Sequence, residues 1–503
     1  MRLAVLATLL ATQAAADPSL INRAGALANP PIYGGEWEHF VGGGVAIFDC
    51  NADGRPDLFV AGGANPAQML RNTSTPGGAV AFAPIDLAEM TGVTGAYPLD
   101  IDGDGLLDLA VLRVGPDLFL QGQGDCTFRD ATKDWGLTTA DRWSTAFSAT
   151  WEAGQDWPTL AIGHYVDRTK PEGPFEACDA NSLYRPNSKG YGNETVITPG
   201  FCALSMLFSD WKRNGTLDLR ISNDRHYYVR GGYEEMWHLN PLAPYAEAEW
   251  PRFSLWGMGI ASRDITGDGL PEVMMTSMGD QLLQINRGDR MENAPFGIGT
   301  YAHRPYLGDD GRPSTGWHAE FGDLDNDGRD DLFIAKGNVD QMPSNAMQDP
   351  NNLLMQGTDG VFVEIGDVAG IGTLDRSRGA GLADLNGDGR LDIVVVNRRA
   401  PLEIWENNTP NTGNWLSIAL LGEDGNTQAI GAWVELRMGD AVQAREVTVG
   451  GGHVSGQAGP LHFGLGAAES AALRVIWPGG QVGAWHKVQA NRALTISPAG
   501  LQN

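Results

Sequence analysis

Basic residues are scarce in this 503-residue chain, with 35 Lys and Arg against 62 Asp and Glu. The formal charge of −27 argues against a nucleic-acid partner, because a phosphate backbone is held by clustered cations. Long apolar runs are also missing. Past the first 16 residues no stretch of about 20 apolar residues is available to span a bilayer, so no membrane insertion is expected. The usual catalytic signatures are absent too: there is no GxSxG elbow, no HExxH and no cysteine-nucleophile pattern. Cysteine is limited to Cys50, Cys126, Cys178 and Cys202.

What is abundant is Asp and Gly, in a fixed frame. In DLDNDGRDD, acidic side chains stand at positions 1, 3, 5 and 9 (Asp323, Asp325, Asp327, Asp331), and Gly328 takes position 6. Ca²⁺ takes six to eight hard oxygen ligands, and a short loop delivers them when side chains alternate around a sharp glycine turn. The carbonyl of Arg329 can add one more. An EF-hand would place a glutamate at position 12, where Ile334 stands, and would be flanked by helices rather than strand-like runs.

The frame recurs as Asp49, Asn51, Asp53, Asp57, with Arg55 at position 7, and as Asp100, Asp102, Asp104, Asp108, with Leu106. It returns again as Asp384, Asn386, Asp388, Asp392, with Arg390. A fifth copy keeps Asp264, Asp268, Leu270 and Glu272 but has Thr266 at position 3. A sixth keeps Asp210, Asn214 and Asp218, yet Lys212 puts a cation where a ligand belongs, so calcium is not expected there. The run from Trp151 to Gly163 has the spacing without the carboxylates and reads as a metal-free copy. About five Ca²⁺ sites are therefore expected.

These copies repeat every 50 to 60 residues or so, which is the period of a blade array. Apolar or glycine-rich runs precede each loop (GGGVAIFD, GMGIASRD), others follow it (DLFVAGG, DIVVVNR), and further strand-like runs lie beyond. Four strands per copy predict an all-β fold, a seven-bladed β-propeller over residues 17–410. The seventh copy lacks an outer segment, and Leu20 to Leu27 has the look of the missing one, closing the ring and covering its edge. From about Asn411 the repeat gives way to alternating apolar residues and turns, read as a small β-sandwich over residues 411–503 that caps the propeller.

Residues 1–16, MRLAVLATLLATQAAA, read as a secretory signal peptide, sending the chain to the periplasm or the medium as a soluble protein. Loss of Arg2 with that leader leaves 34 basic against 62 acidic residues, a net charge of about −28 before metals. In an exported chain four cysteines suggest two disulfides. Cys178 with Cys202 brackets an irregular insertion over residues 164–206, which leaves Cys50 with Cys126; spacing alone allows three connectivities.

The metal loops with their strands resemble FG-GAP/VCBS repeats, as in integrin α-subunit propellers. The stretch from GAWVELRMGD through HFGLG to VIWPGGQV is similar to the ASPIC/UnbV domain. Together, behind a signal peptide, they resemble the cartilage acidic protein family and its bacterial relatives. That resemblance implies extracellular calcium binding and an adhesion or matrix-like role, with no agreed catalytic activity. Two functions are weighed. A binding or adhesion module would recognise an extracellular glycan or protein through residues entering the inner strands: Trp143, His226, Trp256, Trp317, His318, Glu320 and Arg378. A polysaccharide lyase or hydrolase would use His318 and Glu320 as acid and base at the axial channel. The plainer alternative is that the tryptophans pack between blades and that His318 and Glu320 bond backbone groups.

Overall fold

The computed structural model describes residues 18–170, 177–188, 190–224, 231–301, 314–338 and 348–502; the expected leader and His226 lie outside them. The chain is all-β, and the longest helix among the described residues is the single turn Gly366–Ala369. Among the described residues seven antiparallel meanders of four strands follow one another. The first runs Val45–Phe48, Asp57–Val60, Gln68–Asn72 and Phe82–Ile85. Its first two strands are buried at every position while the fourth is mostly half-buried, which is why the runs flanking each loop read as continuous apolar segments and the outer ones do not.

The first strands of the seven meanders are Val45–Phe48, Val93–Leu99, Arg142–Thr150, Ala203–Ser209, Gly257–Arg263, Gly316–Gly322 and Arg376–Ala383. Each lies against the next, and the last lies against the first. Six of them carry a register shift near their start, a bulge that re-aims side chains. The fourth strand of the seventh meander comes from the N-terminal side, with Leu20–Asn22 pairing antiparallel to Glu403–Asn407. The stretch 164–206 is less irregular than its Pro/Gly/Asn content suggested. It supplies Asn181–Tyr184 and Thr195–Ile197, the outer two strands of the third meander, and their shortness and polar edge hid them. Both disulfides form, Cys50 with Cys126 and Cys178 with Cys202.

Residues 414–501 build two four-stranded sheets. Asn414–Leu420 lies between Leu461–Gly466 and Arg492–Ser497, and Trp433–Met438 lies between Ala441–Glu446 and Ser470–Ile476. Leu416, Val434, Leu436, Phe463, Leu473 and Val475 form their shared core.

Between Glu446 and Leu461 the chain leaves this unit as a finger and runs among the first strands of the meanders. Val449 bridges Ala149, Gly450 bridges Leu207, Gly452 bridges Ile260, Ser455 bridges Ala96, and Gly456–Ala458 pairs parallel to Ala46–Phe48. Its glycine run thus lies against the first strands of five meanders. Glycine is required there. Gly450, Gly451 and Gly452 have φ of +126°, +73° and +56°, and a Cβ on Gly44 would sit 1.8 Å from the Val454 carbonyl oxygen.

Candidate metal centres and the axial finger

Each loop joins the first strand of a meander to its second, and its acidic residues do two structural tasks. The position-1 carboxylate closes the turn by accepting from the position-6 glycine: Asp49 from Gly54 at 2.6 Å, Asp100 from Gly105 at 2.9 Å, Asp323 from Gly328 at 2.7 Å, Asp384 from Gly389 at 2.8 Å and Asp264 from Gly269 at 3.0 Å. The position-9 carboxylate bridges two backbones. Asp331 accepts from Leu324 N–H at 3.0 Å and from Gln356 N–H at 3.0 Å; Asp392 does so from Leu385 and Asn407, Asp108 from Ile101 and Gly122, Asp57 from Cys50 and Asn72.

Three carboxylates converge in two loops, where oxygens of Asp100, Asp102 and Asp108, and of Asp323, Asp325 and Asp331, lie within 4.8 Å of one another. The loops at Asp49 and Asp384 carry Asn51 and Asn386 at position 3 and so offer an amide oxygen in place of a carboxylate. Beside Asp57 stand Cys50 and Cys126, whose sulfurs are bonded to each other, so only oxygen ligands remain at that loop.

These carboxylates are expensive to keep charged. Burial, followed by the charge of their neighbours, pushes Asp323 and Asp331 well above the usual carboxylate range, and burial does the same to Asp392. Asp108 and Glu272 rise to about 8, and Asp57 and Asp264 to about 6, again chiefly through burial. Asp325 is 3% exposed, and its Oδ2 has no hydrogen-bond partner. Crowded, buried, all-oxygen carboxylates with an unsatisfied lone pair suit a hard divalent cation. At position 7, the guanidinium groups of Arg55, Arg329 and Arg390 pair with Asp53, Asp327 and Asp388; Leu106 and Leu270 bring no such cation.

The divergent copies fill their centres differently. In the Asp210 loop the Asp218 carboxylate accepts from Trp211 Nε1 at 2.9 Å and from the Tyr245 hydroxyl at 2.6 Å, while the Lys212 ammonium lies 4.7 Å over the Trp211 ring. In the Trp151 copy, Glu152 is held by Thr159 Oγ1 and by Arg185. Thr266 is exposed.

The residues expected to face an axial ligand meet the finger or each other. His318 Nδ1 accepts from the His453 backbone N–H at 3.0 Å, and its Nε2 lies 3.4 Å from Glu320, which is bonded in turn by Gln457 and the Leu382 N–H. Trp317 is 1% exposed, donates to the Gly337 carbonyl at 2.6 Å, and carries the Arg378 guanidinium 4.2 Å above its ring. Trp143 is fully buried among Trp37, Phe40 and Tyr165. Trp256 packs against the same apolar cluster. His453 is completely buried and kept neutral, its pKa lowered to about 3 by burial and by the Arg378 charge.

Sequence reading missed a second set of residues. Asn72, Asn286, Gln356 and Asn407 each end the third strand of a meander, and each side chain donates to the position-2 carbonyl of the loop in the preceding meander: Leu385, Trp211, Ile265 and Leu324 respectively. The signal was present, an amide at the end of QMLRN, LLQIN, NLLMQ and EIWEN. Each of these loops is thus shared by two meanders.

Comparison with known families agrees with these repeats. A family described as FG-GAP-like repeat matches residues 49–111, 264–334 and 323–395, and one described as ASPIC and UnbV matches residues 422–502. Cartilage acidic protein 1 of Xenopus tropicalis is 30% identical over 111 residues, 21% of this chain and 17% of its own length. The Homo sapiens protein is 26% identical over 164 residues, 32% of this chain and 24% of its own, so only a quarter or less of these relatives is matched. Among solved structures, BBS1N in complex with ARL6DN aligns with a TM-score of 0.45 at 10% identity, covering 76% of this chain and 95% of that one. An Agrocybe aegerita lectin recognising non-reducing terminal N-acetylglucosamine aligns with a TM-score of 0.37 at 15% identity, covering 69% and 91%.

Proposed function

We propose that this chain, which carries FG-GAP-like repeats followed by a C-terminal ASPIC and UnbV domain, is an exported calcium-binding module that presents a rigid surface to an extracellular glycan or protein. The seven meanders are read as the blades of a closed propeller. Contact between the last and first inner strands and completion of the seventh meander by Leu20–Asn22 support that reading. Two disulfides support export, and no helix among the described residues is long and apolar enough to cross a membrane.

The observation that carries the calcium reading is the Asp323, Asp325 and Asp331 cluster, buried, convergent and with one oxygen unsatisfied. A bound Ca²⁺ would supply the positive charge that this cluster lacks. The ion would be held by Asp323, Asp325, Asp327, Asp331 and the Arg329 carbonyl, by the equivalent residues of the loops at Asp49, Asp100 and Asp384, and by Asp264, Asp268, the Leu270 carbonyl and Glu272. Because position 9 already ties the loop to the third strand, and third-strand amides reach the neighbouring loop, the residues transmit metal occupancy into blade-to-blade rigidity.

Recognition is assigned to the outer surface. Trp317 and His318 are buried against His453 of the finger, and Trp143 and Arg378 are buried as well, which supports that assignment. With His318 and Glu320 spent on the finger, no observation favours lyase or hydrolase chemistry there. Retention on immobilised extracellular polysaccharides and matrix proteins, in calcium and after chelation, tests the reading. Calcium-dependent retention without shortening of the polymer supports it, and new reducing or unsaturated ends would refute it.

A further inference from the structure

We propose that the C-terminal domain seals the metal centre of the loop Asp323–Asp331, and that this centre clasps the root of the axial finger, so that its ion leaves only when that domain lifts. The inference rests on the calcium reading and adds to it a division of the metal sites into open and sealed.

This loop differs from its siblings. Its positions 1, 3 and 9 (Asp323, Asp325 and Asp331) are all buried, at 1%, 3% and 1% exposed, whereas each of the other four loops leaves position 1 or position 3 half-buried or exposed, at Asp49 and Asn51, at Asp102, at Thr266 and at Asp384. The cover is the strand Leu461–Gly466. It crosses so close that a Cβ on Gly464 would sit 1.8 Å from Asp323 Oδ2, and Gly466 N–H donates to the Asn326 carbonyl at 2.8 Å. His462 Nε2 lies 2.6 Å from Asn326 Oδ1, and Gly413 N–H donates to the Asp325 carbonyl at 2.8 Å. From the other sheet, Gln443 donates to the Gly328 carbonyl at 2.9 Å and Arg445 pairs with Asp330 at 2.8 Å.

The gripping residues stand at the two ends of the finger. Gln443 and Arg445 precede residues 447–458, and His462 follows them. A carboxylate cluster that repels itself would push this root away, while one neutralised by a divalent ion leaves the loop in the shape that all five contacts require. The unpartnered Asp325 Oδ2, aimed into the cluster beneath the cover, marks where the charge is missing.

The test is calcium release from the loaded full-length chain into a chromophoric chelator in a stopped-flow instrument, with hydrogen exchange read over residues 447–458. Expected are several fast equivalents and one slow equivalent, the slow one at least about 100-fold slower because it waits on opening of the domain contact. Asp325→Asn should remove the slow equivalent and the protection of residues 447–458, while Asp53→Asn removes one fast equivalent and leaves both. His462→Ala, which keeps every loop carboxylate, should turn the slow phase fast at unchanged stoichiometry. A single fast phase, or a slow phase that survives Asp325→Asn, overturns the clasp. Metal analysis of the same sample separates the two failures: no bound calcium refutes the calcium reading, and bound calcium released in one phase refutes only the clasp.

Discussion

Replacing Asn407 by alanine tests the claim that adjacent meanders are joined through their metal loops. Asn407 is fully buried at the end of Glu403–Asn407. Its Nδ2 donates to the Leu324 carbonyl at 2.9 Å and to the Leu391 carbonyl at 3.1 Å, and its Oδ1 accepts from the Thr409 N–H at 3.0 Å. The Thr409 hydroxyl donates to the same oxygen, so alanine removes four hydrogen bonds and strips that contact from two carbonyls, one N–H and one hydroxyl. A typical bond contributes about 1 kcal/mol net, and a buried group left unsatisfied costs about 1–3 kcal/mol. Allowing for partial relaxation, the loss is about 3–5 kcal/mol, at the upper end for a single substitution. Denaturant unfolding in excess calcium measures it, with Asn408→Ala as the neighbouring control. Because Leu324 is position 2 of the Asp323 loop, calcium affinity at that loop should fall as well. A loss below about 1 kcal/mol would refute the idea that this amide ties two meanders together.

Cys126→Ser opens the disulfide that joins the first acidic loop to the second meander, a separation of 76 residues, and should lower stability by about 4.5 kcal/mol on the loop-entropy argument; a midpoint equal to that of the oxidised parent would contradict it. Glu403 is 5% exposed and its pKa is raised to about 7, by burial first and the Asp375 charge next. Its native form keeps a proton that the unfolded chain gives up near pH 4.5, so the stability it provides is full below pH 4.5 and is lost as pH rises to about 7, about 1.4 kcal/mol per unit. Glu403→Gln should therefore gain on the parent between pH 5 and pH 8 in thermal unfolding, and a constant difference would show the reasoning wrong. Gly44→Ala drives a methyl into the Val454 carbonyl and should cost about 3 kcal/mol or more, whereas Gly297→Ala, with nothing within 4 Å, should stay within about 0.5 kcal/mol; equal effects would mean that the finger does not lie against the first strands.

The acidic loops were legible because a turn closed by aspartate at position 1 and glycine at position 6 repeats within nine positions, and the strands beside them because burial on both faces makes runs such as DLFVAGG continuous. The fourth strand of the seventh meander was also legible, as a missing segment at one end and a spare one at the other. What escaped is tertiary. GGGHVSG carries a local signal only for unusual backbone; that it lies among strands about 190 to 410 residues away depends on a close approach that no window contains. Asn72 and Asn407 stand in N-x-S/T sequons, yet their amides are buried between meanders, and the pattern is visible only when the four strand ends are aligned. Trp317 packs against His453 of the finger and Trp143 among Trp37, Phe40 and Tyr165, and an aromatic that faces a ligand and one that packs inside look alike in sequence.

The most direct test is thermal unfolding of one sample in millimolar Ca²⁺ and after chelation, with metal analysis alongside. Each loop that binds only in the native state adds about 2.7 kcal/mol at 100 times its dissociation constant. About five loops acting together predict a large rise of the midpoint with calcium concentration and about five ions per chain. An unchanged midpoint with no calcium found on the protein would contradict the account, leaving the carboxylates as turn-forming residues alone.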